Sequence, residues 1–143
     1  MSKNSVLILE DEAIIAMDME MMLEDNGYSV LGPCSSVDVV RQTVADLRPD
    51  IAVLDVNLGR GKTSFEFAEE MQEMGIPLLF LSGYSEAVVQ VPQQLSAAER
   101  LMKPVLEGEL LAAILREEDP RQSRSARRVP APPDVRRETG SGG

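Results

Sequence analysis

The chain contains no histidine, a single cysteine and no long apolar run. Each absence removes a class of function. Without histidine there is no imidazole base, no imidazole metal ligand and no phosphohistidine on this chain. Cys34 has no partner for an internal disulfide, which points to a reducing compartment. No apolar stretch approaches the ~18 residues of a membrane span. The N-terminus lacks the basic segment, apolar region and cleavage site of an export signal. The expectation is a cytoplasmic protein with no membrane partner.

What is present suffices for one domain. The chain has 143 residues, 43% of them hydrophobic, enough to bury a core. Its net charge of −10 joins two unlike parts. Residues 1–119 carry 8 Lys and Arg against 22 Asp and Glu, while residues 120–143 carry six Arg against Asp134 and Glu138. An acidic body argues against nucleic acid as a partner, because phosphate contacts demand cations.

Apolar strand-like runs alternate five times with segments of helical period, the pattern of a parallel sheet with helices on both faces. The strands read as Val6–Leu9, Ser29–Gly32, the run Ile51-Ala52-Val53-Leu54, Leu78–Leu81 and Arg100–Met102. The first helix spans Glu12 to Asp25, with Ile15, Met19, Met22 and Leu23 on one face, and Asn26-Gly27 ends it. Met19 and Met22 read as core; Met17 and Met21 are left as either surface or partner contacts. The second helix places Val37, Val40, Val44 and Leu47 in register, with Ser36 as N-cap and Pro49 as its stop. The third spans Ser64–Met74. The last presents Leu110, Leu111, Ile114 and Leu115. Between Ser85 and Glu99, Pro92 and the β-branched Val88, Val89 and Val91 predict a short or broken helix, or a loop. From Pro120 onward the chain is rich in Arg, Pro, Ser and Gly and buries too little to fold, so domain boundaries of 1–119 and a disordered 120–143 tail are expected. Such a tail leaves no room for an attached output domain.

The candidate site lies at the carboxyl ends of the strands, where open α/β sheets bind ligands. Glu10 and Asp11 end the first strand, Asp55 the third and Ser82 the fourth, while Lys103 follows the fifth and precedes Pro104. A carboxylate oxygen of Asp55 can attack a phosphoryl donor and form an acyl phosphate. Clustered carboxylates repel one another, and a Mg²⁺ ion relieves this. It takes hard oxygen ligands, here Glu10, Asp11, Asp55 and the backbone carbonyl of Asn57. Lys103 would supply a second cation, Ser82 a hydrogen bond to the attached phosphoryl group, and Gly83 open space for a donor or water. Pro104 fixes the turn after Lys103, and a cis bond there is allowed. Taken one at a time, each residue also has a plainer reading as a turn, cap or surface residue.

The arrangement resembles the receiver domain of bacterial response regulators over residues 4–117. Glu10 and Asp11 match its acidic metal-binding pair, Asp55 its phosphoacceptor, Ser82 its hydroxyl switch, and Lys103-Pro104 its Lys-Pro pair. The resemblance implies a flavodoxin-like (βα)5 three-layer sandwich with strand order 2-1-3-4-5. It implies a sensor histidine kinase or histidine phosphotransfer protein as phosphoryl source, and a downstream protein partner or a phosphate-sink role. Its first helix lies near the kinase-docking face. Phosphorylation is expected to draw in Ser82 and Lys103 and to shift the surface around the fourth and fifth strands. Two residues before the lysine, where an aromatic switch is expected, this chain has Leu101, and Tyr84 is a substitute. Phe80-Leu81-Ser82-Gly83-Tyr84 looks like the Phe-Ala-Thr-Gly-hydrophobic-Tyr motif of a single-domain subclass, departing from it at Leu81 and Ser85.

Alternatives stay open. A Mg²⁺-dependent aspartyl-phosphate phosphatase would use Asp55 as nucleophile, but places a second Asp where this chain has Asn57. A phosphorylation-independent binding module is the other. Gly59-Arg60-Gly61-Lys62-Thr63 imitates a P-loop, yet the earlier glycine falls at Val56 and Asp55 precedes it. It also imitates a calcium loop, with Arg60 in place of the glycine that loop requires. Neither is retained; the glycines read as a turn close to the site.

Overall fold

The computed structural model of the chain describes residues 4–83 and 90–118. Strands β1 (Ser5–Leu9), β3 (Ile51–Asp55) and β6 (Leu78–Ser82) form the centre of a parallel sheet. From Val6 to Leu9, and through all of β3 and β6, both faces are buried. That burial explains the unbroken apolar runs: a strand covered on both faces has no polar alternation. Strands β2 (Ser29–Cys34) and β7 (Glu99–Met102) are the edges, giving the order β2-β1-β3-β6-β7. Counting only the sheet's own five strands, this is the expected 2-1-3-4-5.

Helices α1 (Ala13–Asp25) and α4 (Glu107–Glu118) cover one face, and α2 (Val37–Asp46) and α3 (Phe65–Glu73) the other. Alternate residues of each strand serve different cores. Leu7, Leu54 and Phe80 pack with Val40, Phe67 and Met71, while Ile8, Val53, Leu81 and Leu101 pack with Met19, Leu23, Leu110 and Ile114. Each fully buried side chain of this size contributes roughly 1.5–3 kcal/mol relative to exposure. Phe65 meets Phe80 edge-on with ring centroids 5.8 Å apart.

Local signals behave as their chemistry requires. Asn26-Gly27 ends α1, Gly27 taking a positive φ of 91°. Ser36 caps α2, its Oγ accepting from Val39 N at 3.3 Å. Ser36→Ala should therefore lower stability by about 1 kcal/mol in chemical denaturation. An unchanged midpoint would show the cap to be replaced by water.

Several expectations are corrected. Strand β2 runs through Gly32-Pro33 to Cys34, past the expected end at Gly32. An irregular register between Leu7 and Leu9 admits this, and Gly32 takes φ +92°, where an added Cβ would lie 2.6 Å from Cys34 N. The bonds Gly32-Pro33 and Lys103-Pro104 are cis. Helix α2 ends at Asp46, so Leu47 turns outward and is 56% exposed. Leu115 is 53% exposed, on the outer side of α4. Met17 and Met21 are exposed, whereas Met19 is fully buried. The glycine stretch after Asp55 folds into a small antiparallel hairpin, β4 (Asn57–Gly59) with β5 (Lys62–Thr63), that no sequence signal predicted as strands. Between β6 and β7 the described residues hold one 3-10 turn, Gln93–Leu95, directly after Pro92. Tyr84 and the rest of that segment through residue 89, and the expected tail from 120, lie outside the described residues.

Candidate functional site

The ends of β1, β3, β6 and β7 converge because the strands are parallel and in register. Asp55 pairs with Leu81, Leu9 with Leu54, and Ser82 with Met102. Lys103 N donates to the carbonyl of Ser82 at 2.9 Å, which locks the turn after β7 beside the end of β6.

Three carboxylates meet there. One oxygen from each of Glu10, Asp11 and Asp55 lies within 4.8 Å of the others. Glu10 and Asp55 are buried, each 1% exposed, and Asp11 is exposed at the mouth. Lys103 Nζ stands 3.0 Å from Asp55 Oδ2 and 3.1 Å from Glu10 Oε1. It also donates to Glu10 Oε2 at 3.3 Å, an oxygen that accepts from Glu12 N at 3.0 Å as well. Asn57 N donates to Asp55 Oδ1 at 3.3 Å, and the Asn57 side chain accepts from Gly59 N at 2.8 Å. Asp11, Asp55, Asn57 and Lys103, with Gly83, line a cleft of about 260 Å³.

Burial pushes the Asp55 carboxyl up to about 8; the bond from Lys103 pulls it down, and the charge of Glu10 pushes it up again. Burial works against the charge of Lys103, but Asp55 and then Glu10 outweigh it and hold the ammonium above its usual range. One ammonium thus faces three acids. The donor set is all oxygen, which suits a hard divalent cation. Glu10 Oε1 is buried, and its close partner is the Lys103 ammonium at 3.1 Å. The residues fit Mg²⁺.

The expected site residues do not all meet. Asp55, Asp11, Asn57, Gly83 and Lys103 line the cleft, and the buried Glu10 joins them through Lys103 and the carboxylate cluster. Ser82 does not line it: the residue is 1% exposed, next in the chain to the lining Gly83. Leu101 pairs with Leu81 and points into the core beneath α1 and α4, on the opposite face from Ser82. The β7 residue that reaches the Ser82 hydroxyl is Arg100, whose Nε donates to Oγ at 3.2 Å. In the sequence, Arg100 reads only as the first residue of the fifth strand. The signal that finds it is strand alternation together with the β6–β7 register: Arg100 pairs with Phe80 and shares its face with Ser82, and Leu101 does not.

A five-stranded parallel sheet of this order with an acidic cluster at its carboxyl end defines a receiver α/β fold. The response regulator receiver domain model matches residues 6–115, and the chain belongs to that family. The chain is 31% identical over 111 residues to the transcriptional regulatory protein PdtaR of Mycobacterium tuberculosis, covering 76% of this chain and 54% of that protein. It is 29% identical over 83 residues to the phyllosphere-induced regulator PhyR of Methylorubrum extorquens, covering 57% of this chain and 31% of PhyR. This chain thus spans about half or less of the length of these relatives. Among solved structures, SdrG of Sphingomonas melonis Fr1 superposes with a TM-score of 0.72 at 32% identity, over 82% of this chain and 99% of SdrG. The acidic cluster is of the kind that holds a metal in receivers, and a receiver implies a histidine kinase partner. No helix of the described residues is long and apolar enough to cross a membrane.

Proposed function

We propose that this receiver domain accepts a phosphoryl group on Asp55 from a histidine kinase or histidine phosphotransfer protein. It then signals by phosphorylation-dependent partner binding or serves as a phosphate sink. The observation that carries the reading is the buried Asp55 carboxylate held 3.0 Å from Lys103 Nζ, beside Glu10 and Asp11.

An Asp55 oxygen attacks phosphorus in line with the leaving imidazole. The new O–P bond forms as the N–P bond of the phosphohistidine breaks, and the imidazole leaves with the electron pair of that bond. Lys103 offsets the charge that gathers on the phosphoryl oxygens. Ser82 donates its O–H to one of them, and Gly83 leaves room for the donor. Glu10, Asp11, Asp55 and the Asn57 carbonyl would hold Mg²⁺, which when bound neutralises phosphoryl charge. A phosphatase reading is weaker, because the Asn57 amide cannot give and recover a proton.

The test is intact mass after incubation with a small acyl-phosphate donor, with and without Mg²⁺, beside Asp55→Asn. The wild-type chain should gain one phosphoryl group only with Mg²⁺, and Asp55→Asn none. Equal labelling of the two would move the acceptor elsewhere and end this reading.

A further inference from the structure

We infer that Arg100 is a positioning residue for the Ser82 hydroxyl: a donor-only guanidinium that fixes Oγ as an acceptor and so directs its single proton toward the phosphoryl group on Asp55. The inference rests on the receiver reading above and adds a residue to it.

Three observations support it. Ser82 Oγ is buried at the carboxyl end of β6, next to the strand that carries Asp55. Arg100 lies on the adjacent β7, where it pairs with Phe80, two residues before Ser82, on the same face of the sheet. Its Nε donates to Oγ at 3.2 Å.

The chemistry follows from the donor inventory. A serine hydroxyl has one proton and two lone pairs, and it rotates to suit its neighbours. A guanidinium donates and never accepts. In the Arg100–Ser82 bond the hydroxyl must therefore accept, and its proton points away from Arg100. With Asp55 phosphorylated, the phosphoryl oxygens are the strong acceptors on that side, and the O–H meets them already oriented. The positive charge polarises the O–H and strengthens its donation. A side chain that both donates and accepts would let the hydroxyl point either way, and an apolar one would leave it free to rotate.

The test is a titration with beryllofluoride, whose fluorines stand in for phosphoryl oxygens, in the presence of Mg²⁺. Wild type, Arg100→Met, Ser82→Ala and the double variant form a cycle. Arg100→Met should weaken binding about ten-fold, and in the Ser82→Ala background it should change little. Arg100→Lys, still donor-only, should recover more affinity than Arg100→Gln, whose amide both donates and accepts. This ranking does not depend on Arg100→Met folding, and melting curves identify any variant that is unfolded. Wild-type affinity in Arg100→Met, an equal loss with and without Ser82, or Gln outperforming Lys would each overturn the inference. If the wild type takes neither beryllofluoride nor a phosphoryl group, the receiver reading itself has failed. If it takes both and the cycle is additive, only the role of Arg100 has.

Discussion

Asp55→Asn should melt higher than the wild type in metal-free buffer at pH 8, and the gap should narrow as the pH falls toward 5. Burial raises the Asp55 carboxyl to about 8. The folded state therefore binds the Asp55 proton more tightly than the unfolded chain does. A group with a raised folded pKa contributes stability that is present below its ordinary value and is lost as the pH climbs through the folded value. At pH 8 the wild type has lost most of that contribution, and a neutral amide has nothing to lose. Against this, Asn weakens the bond that Asp55 Oδ2 accepts from Lys103 at 3.0 Å. The net gain is roughly 2–4 kcal/mol, a rise in melting temperature on the order of 10 °C. Millimolar Mg²⁺ should raise the wild type and move Asp55→Asn much less, closing the gap from the other side. A gap that ignores both pH and Mg²⁺ would mean that Asp55 is not the strained group.

How far the sequence discloses this molecule depends on how its residues report burial. Central strands sit between two layers of helices, so Val6–Leu9, Ile51–Leu54 and Leu78–Leu81 are apolar at every position and stand out. The acidic pair, Asp55, Ser82 and Lys103 stand out in turn because they directly follow such runs. Edges and turns are less legible. Strand β2 passes through a Gly-Pro pair that reads as its end, because its continuation needs a positive φ at Gly32. The β4–β5 hairpin has strands of three and two residues and no alternation to detect. Leu47 and Leu115 keep helical spacing past the point where the helix surface faces a neighbour, and spacing alone does not locate that point. Arg100 is hard to read for a related reason. A cation on an edge strand reads as solvated, and only the pairing of β6 with β7 places it beside the buried hydroxyl.

Lys103→Met should be the more damaging change to this site. The ammonium is the one cation bonded to both buried acids among the described residues, with Glu10 and Asp55 each 1% exposed. Met keeps much of the aliphatic stem and removes the charge. Two carboxylates then remain in a poorly solvated cleft with Asp11 at its mouth, and removing one partner of a buried pair typically costs about 3–5 kcal/mol. Above about pH 9 without metal, where the wild-type Asp55 is ionised and paired, that loss should be greatest in urea unfolding. The sign of its pH dependence is fixed. Without Lys103 the Asp55 carboxyl rises above its wild-type value of about 8. The deficit is therefore widest above that value, shrinks as the pH falls through it, and levels off below, where both proteins carry the proton. Two additions separate charge from packing. Mg²⁺ should recover part of the lost stability, since it supplies positive charge to the same oxygens. Lys103→Met combined with Asp55→Asn should be more stable than Lys103→Met alone, because the second change removes one of the stranded carboxylates. A deficit that stays constant from about pH 7 to 9.5, and that neither Mg²⁺ nor Asp55→Asn relieves, would assign the loss to the packing of the lysine stem. Phosphoryl transfer to Lys103→Met should fall even where Mg²⁺ restores its fold, because the ammonium that meets the incoming phosphoryl oxygens is gone.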